Sequence, residues 1–393
     1  MKVKRYKLMI PGPVELDVEA LAEMSAPLIA HYGHEWAQFY KETCELMKKI
    51  FQTQRADVYL MVGPGSAGVD AAISNLLGTD GSSLILSNGF FGERLFAIAR
   101  SYTDKVKVLR FKLNEPIDPN AVEETLKKER FALVAAVHCE TSTGVVNPVK
   151  ELGLLCRKYN TLLVVDAISS LGGIELKFDD WHIGICVGAT QKCLETPPGI
   201  CPIAISPQAW DRIEKTQSPG WYLNLLTWKE FVERWGQWHP HPVTIPTGTV
   251  RALRKSVERI LGEGLETRFR RHAQMASLLR QGLSNLGFEL FVSDLYASPT
   301  VTTALVDERI SANELIKFLK QEHGIMIAGG LDELSGKIFR IGHMGPTARL
   351  DAILPLLFGI EDALRHAGIK IEVGQSLRGL DLGEKAFAKA VSR

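Results

Sequence analysis

Ile183-Gly-Ile-Cys-Val-Gly-Ala-Thr-Gln-Lys192 is an apolar run that delivers a lysine just past its end. Thr161-Leu-Leu-Val-Val165 has the same character and ends on Asp166. Apolar at nearly every position, such runs read as strands buried on both faces, which is how parallel sheets read. Between about residues 58 and 205 they alternate with helix-period segments, at Val58–Val62, Ser83–Leu86, Val106–Phe111, Ala132–Val137, Thr161–Val165, Ile183–Ala189 and Cys201–Ile205. The alternation predicts an α/β fold with a doubly wound, mostly parallel seven-stranded sheet. Ligands of open parallel sheets sit outside the carboxyl ends of the strands. One crevice there receives both the amine of Lys192 and the carboxylate of Asp166.

The rest of the chain extends this frame. At 393 residues it exceeds the roughly 250–300 at which single cores stop growing. The expected division is an N-terminal arm at 1–20, a large domain at 21–247 and a smaller C-terminal α+β domain at 248–393. The small domain reads as a long Arg-rich helical stretch over 250–286, strands at Phe288–Val292, Thr300–Val306 and Lys337–Ile341, and helices at Ala312–His323 and Ala348–His366. Between Ser218 and Pro246 lies an aromatic segment with Trp221, Trp228, Trp235 and Trp238, read as core or as an interface at the domain boundary. The net charge is +1 with acids and bases interspersed, so nucleic acid and anionic membranes are not expected partners. No apolar stretch approaches the ~20 residues of a membrane span, and Met-Lys-Val-Lys-Arg-Tyr-Lys at the start has no signal-peptide core behind it, so the expected location is the cytoplasm. The six cysteines form no C-x-x-C, and neither a disulfide framework nor a metal site is expected.

Chemistry concentrates at the strand ends. Lysine at such a position can form a Schiff base, and an ionised aspartate opposite can keep a pyridine nitrogen protonated. That is the pairing pyridoxal 5'-phosphate requires; the plain alternative is a solvated loop lysine. Gly63-Pro-Gly-Ser-Ala-Gly68 follows a strand and opens a helix, a phosphate-binding arrangement. Although it spells G-x-G-x-x-G, Ser87-Asn88 stands where a dinucleotide site needs an acid, so a single phosphate fits better. Phe90 and Phe91 in Asn88-Gly-Phe-Phe-Gly-Glu-Arg94 offer a ring to a flat heterocycle, or are ordinary core. Val137-His-Cys-Glu-Thr-Ser-Thr-Gly144 offers hydroxyls to a phenolate, or is a polar turn. Arg340 lies inside an apolar strand, where its planar fork suits a carboxylate or a structural salt bridge.

In order and spacing these motifs resemble the class V aminotransferases of PLP fold type I, in the branch of alanine–glyoxylate and serine–glyoxylate (serine–pyruvate) enzymes. Ile10-Pro-Gly-Pro13, Gly33-His-Glu-Trp36, Glu140-Thr-Ser-Thr-Gly144, Val165 to Gly173, Thr190-Gln-Lys192, Pro197-Pro-Gly199 and Arg340 to Gly345 carry the resemblance over nearly the whole chain. It implies that Lys192 holds the cofactor and shuttles a proton, that Asp166 pairs with the pyridinium nitrogen, that Thr141 meets the ring oxygen and that Phe91 stacks on the ring. It implies phosphate donors from the backbone of Gly65, Ser66 and Ala67, from the Gln191 amide and from Thr244 of a second subunit. A homodimer with shared active sites, and Arg340 as clamp for the carboxylates of small amino and 2-oxo acids, follow from the same resemblance. Many relatives place a phosphate-binding tyrosine three residues before Thr244, where this chain has His241. The favoured reaction is transamination between serine or alanine and glyoxylate or pyruvate, with ping-pong kinetics. A cysteine desulfurase or selenocysteine lyase needs a thiol in the C-terminal third, whereas the last cysteine is Cys201. A non-catalytic subunit of the fold is expected to lack Lys192 or Asp166.

Overall fold

The computed structural model describes residues 4–78, 80–217 and 220–380. The expected arm at 1–20, the C-terminal domain at 248–393 and the segment opening at Ser218 therefore run partly outside the described residues. Seven strands form the central sheet: β1 (Asp57–Val62), β2 (Ser83–Ser87), β3 (Val106–Arg110), β4 (Leu133–Val137), β5 (Leu162–Asp166), β6 (Ile185–Val187) and β7 (Ile200–Ile205). Their order is β1-β7-β6-β5-β4-β2-β3, and β7 alone runs antiparallel to its neighbours. All seven coincide with the apolar runs read from the sequence.

Because side chains alternate across a strand, each strand feeds two cores. Leu60, Leu84, Val134, Leu163 and Val165 pack with helix His34–Phe51 on one face. Met61, Ile85, Ala135, Val164 and Val187 pack with helix Gly65–Leu77 on the other. Asp166 is in register with Val137 and Val187, the last residues of the flanking strands, so its carboxylate emerges where the sheet stops.

A third core belongs to the C-terminal part, where β8 (Val301–Leu305), β9 (Ala328–Gly329) and β10 (Ile338–Gly342) form an antiparallel sheet in the order β8-β10-β9. The N-terminal strand Lys7–Leu8 pairs with Ile325–Met326 of this part. Two expectations need correction. The run Phe288–Val292 is no strand: only Leu290 bridges to Ala304, because a turn at Ser293–Tyr296 takes the chain away from β8. Helix Thr247–Glu263, expected to open the small domain, sends Val250, Leu253, Val257 and Ile260 into the core beneath the large sheet.

Candidate active site

Lys192 lies five residues beyond the last residue of β6, where the chain turns back toward β7, and its amine donates to the carbonyl of Pro11. Gly12 beside it is glycine for a steric reason, since a Cβ there would sit 2.5 Å from Lys192 Cδ. Burial lowers the lysine to about 8, so a minority of the amine is neutral near physiological pH, far more than for an exposed lysine. Asp166 is buried too, and desolvation raises it to about 6 against the opposing pull of the Ile168 amide, which donates to Oδ1 at 2.9 Å. Among the described residues its Oδ2 receives no hydrogen bond and neither oxygen has a cation within 4.0 Å. A buried carboxylate left in this state calls for a cationic donor from outside the chain.

Lys192 and Asp166 open onto a cavity of about 270 Å³, near the lower end of ligand pockets. Gly65, Ser66, Phe91, Thr141, Ser169 and Gln191 also line it. Larger clefts of about 900 and 700 Å³ lie beside Trp235 and beside His182, at the amino ends of the strands, where open sheets do not ordinarily bind ligands.

The Gly63–Gly68 loop works as its spelling suggests. Gly65 opens the helix and lies so close to Ile168 that a Cβ would meet its Cδ1 at 2.4 Å; Gly68 is pressed likewise on Cys201. Neither the Gly65 nor the Ser66 amide has a backbone acceptor, which leaves two donors at a helix N-terminus. The Ala67 amide, in contrast, is already committed to the Pro64 carbonyl at 2.9 Å, and Ala67 does not line the cavity. Among the described residues the buried side-chain oxygen of Gln191 has no partner, and its amide can be turned to present either a donor or an acceptor.

Arg340 stands one residue removed from the cavity. Its Nε donates to Gly329 at 2.7 Å and Nη1 to the Thr141 carbonyl at 2.9 Å, while Nη2 has no partner among the described residues. Burial lowers Arg340 to about 10, partly opposed by Glu140. Thr244 is exposed and does not line the cavity. His241 is sealed inside its own chain: Nε2 accepts from Trp36 Nε1 at 2.8 Å and Nδ1 donates to the Val243 carbonyl at 2.7 Å.

Three contributors escaped the sequence reading. Pro11 supplies only a backbone carbonyl, which leaves no side-chain signature. Glu140 is wholly buried, with its carboxylate taking the amides of Gly92 (3.0 Å) and Phe91 (3.4 Å), so it caps the helix that presents the Phe91 ring. Arg94, one helical turn beyond Phe91, reaches the cavity as well. Cys139 also lines it, but burial pushes that thiol up to about 11 and its Sγ donates to Ser298, the state of an inert cysteine.

A sequence profile of the family described as aminotransferase class-V matches residues 21–340. The chain is 38% identical over 376 residues to an uncharacterized aminotransferase of Methanocaldococcus jannaschii, covering 95% of this chain and 96% of that one. It is 33% identical over 401 residues to the (S)-ureidoglycine–glyoxylate transaminase of Bacillus subtilis, covering 98% and 96%. The crystal structure of that organism's ureidoglycine–glyoxylate aminotransferase superposes with a TM-score of 0.91 at 32% identity over all of both chains. Alanine–glyoxylate aminotransferase of Drosophila melanogaster is 30% identical over 375 residues, covering 94% and 95%.

Proposed function

Because the chain belongs to the class-V aminotransferases, enzymes of pyridoxal 5'-phosphate with fold type I, we propose that it carries an amino group from serine or alanine to glyoxylate or pyruvate. The observation that carries this reading is the pairing of a buried Lys192, held by desolvation below the usual lysine range, with a buried Asp166 that lacks a cationic partner among the described residues, around one small cavity. The chemistry of that donor set fits the cofactor. Lys192 would hold it through Nζ, Asp166 at the ring nitrogen, Phe91 against the ring face, Thr141 at the ring oxygen, and the Gly65 and Ser66 amides with Gln191 at the phosphate.

When bound, pyridoxal 5'-phosphate supplies an electron-poor pyridinium that stabilises negative charge at the amino acid's α-carbon. Asp166 would keep that ring nitrogen protonated, and the ion pair would offset the desolvation that otherwise raises the carboxyl. Once the substrate amine has taken its place, Lys192 Nζ would be a base near the working pH, able to take the α-proton and return it at the cofactor's C4' carbon. Arg340 would offer Nη2 to the substrate carboxylate, with the Gly329 and Thr141 carbonyls fixing the plane of its fork. Donor and acceptor use the same groups in turn, so kinetics are ping-pong.

The glyoxylate acceptors named for the relatives support that keto acid. Homodimerisation is part of the proposal, with Thr244 serving the phosphate of a second copy. Thr244 is exposed on a segment that also exposes Trp221, Trp235 and Trp238, and Trp238 meets Tyr32 at 5.8 Å, joining a second exposed apolar stretch around Leu28 and Ile29. The test is a panel of serine, alanine, aspartate and ureidoglycine against glyoxylate, pyruvate, oxaloacetate and 2-oxoglutarate. Highest kcat/KM is expected for serine or alanine with glyoxylate or pyruvate, with parallel double-reciprocal plots. A preference for aspartate, oxaloacetate or 2-oxoglutarate overturns the substrate reading.

A further inference from the structure

Phosphate monoesters carry about −1.5 to −2 charges at neutral pH, yet every group so far assigned to the cofactor's phosphate is neutral. Gly65 and Ser66 offer amides and a hydroxyl, Gln191 an amide and Thr244 a hydroxyl. The helix N-terminus at Gly65 adds the equivalent of only about half a charge. His241 contributes none, since both ring nitrogens are occupied and burial lowers it to about 4. Among the described residues only two that line the cavity are basic, Lys192 and Arg94, and Lys192 is committed to the far side of the cofactor.

Arg94 has the properties the phosphate lacks elsewhere. It sits on helix Phe90–Arg100, one turn after the stacking ring, and its guanidinium carbon lies 4.8 Å from the Phe91 centroid and 5.3 Å from that of Phe90. The two rings hold the fork without neutralising it. Among the described residues no carboxylate lies within 4.0 Å of Arg94, and its single hydrogen bond is the long one from Nη1 to Ser66 Oγ at 3.5 Å. An exposed arginine on a helix commonly finds an acid; here Glu93 next door pairs with Arg110 and Ser87 instead. The guanidinium is thus an unpaired cation, pinned over aromatic faces and within reach of whatever the Ser66 hydroxyl binds.

We propose that Arg94 is the cationic ligand of the cofactor's phosphate, completing the neutral cradle of Gly65, Ser66 and Gln191. The proposal rests on the reading that the Gly63–Gly68 loop takes the phosphate.

The test uses the full chain stripped of cofactor and compares binding of pyridoxal 5'-phosphate with that of pyridoxal, which keeps the ring and aldehyde but lacks the phosphate. Dissociation constants come from absorbance and tryptophan fluorescence titrations for the wild type, Arg94→Gln and Arg94→Lys. In Arg94→Gln the phosphorylated ligand should weaken by about 10- to 100-fold, the span of a charge-assisted hydrogen bond, while pyridoxal stays within about twofold. Arg94→Lys should recover part of the loss, because it restores charge without the fork. Equal weakening of both ligands overturns the proposal and makes Arg94 a support for the Phe91 ring. Unchanged affinity for both, with raised KM for amino and keto acids, overturns it in favour of a substrate contact. A wild type that binds pyridoxal as tightly as the phosphate ester overturns the loop reading itself, and the Arg94 assignment with it.

Discussion

Arg268 donates through Nη2 to the carbonyl of Cys193, 2.8 Å away and one residue past Lys192. Its Nε holds the Gly172 carbonyl at 2.6 Å, on the turn that follows Asp166, and it pairs with the buried carboxylate of Glu195. One wholly buried guanidinium therefore ties the loop of the lysine to the loop of the aspartate. His272 extends the tie: Nδ1 donates to the Arg268 carbonyl at 2.8 Å and Nε2 accepts the Gly345 amide at 3.0 Å, so β10's exit, five residues after Arg340, joins the same network.

Removing one member of a buried charged cluster leaves its partner unpaired, at about 3–5 kcal/mol. Arg268→Met should lose stability in urea titrations by less than that, since Glu195 keeps Arg259 while the Gly172 and Cys193 carbonyls lose their donor. Arg268→Lys should fall between, having one ammonium for acceptors that the fork reaches together. A midpoint for Arg268→Met equal to that of the wild type would remove the clamp.

Lys192→Ala should give protein that purifies without the yellow of bound cofactor, since Lys192 is the one lysine lining the cavity among the described residues. Borohydride reduction of the wild type followed by peptide mapping should mark Lys192. Label on another lysine refutes the assignment.

Asp166 makes a prediction with an unusual sign. Its folded value, about 6, stands above the ordinary 3.8, so ionising it costs the cofactor-free fold stability that is present below pH ~4 and lost as pH rises through 6. Asp166→Asn keeps an acceptor for the Ile168 amide and removes the charge. Without cofactor it should be the more stable form at pH 7–8, by about 3 kcal/mol at most, with the gap closing toward pH 4. Its turnover should nonetheless fall by orders of magnitude, because an amide cannot hold a pyridinium. Denaturant midpoints across this range, beside steady-state rates, check both halves.

Arg340→Lys should raise KM for donor and acceptor alike and lower kcat/KM by at least about tenfold. The ammonium loses both the fork and the Gly329 and Thr141 anchors. Cofactor retention and spectrum should be unchanged; loss of cofactor instead would make Arg340 a structural residue.

Thr244→Ala should weaken pyridoxal 5'-phosphate binding by the worth of one hydrogen bond to a charged acceptor, about 1.5–3 kcal/mol. Sedimentation at assay concentration should show a dimer. A fully active monomer contradicts a shared site.

Consecutive residues determined much of this protein by themselves. The seven sheet strands, the Gly63–Gly68 turn and the delivery of Asp166 and Lys192 to the carboxyl ends of the sheet are properties of local periodicity and of chain direction, so they were legible in order. Helix Thr247–Glu263 was legible as a helix but not as part of the large core, because its apolar stripe does not say which neighbour covers it. The run Phe288–Val292 has strand character and pairs at one residue, since a ladder needs a partner that stays alongside. Arg268 cannot be told from Arg270 or Arg271 by composition; only the arrival of Cys193, 75 positions earlier in the chain, makes it a buried clamp. His241 replaced an expected ligand in sequence, and the Trp36 indole decided that its ring faces inward. Hydrophobic pattern chooses the element and the face it buries. Which distant polar group that face meets, and hence which charge is neutralised and which left for a cofactor, is settled only when the elements pack.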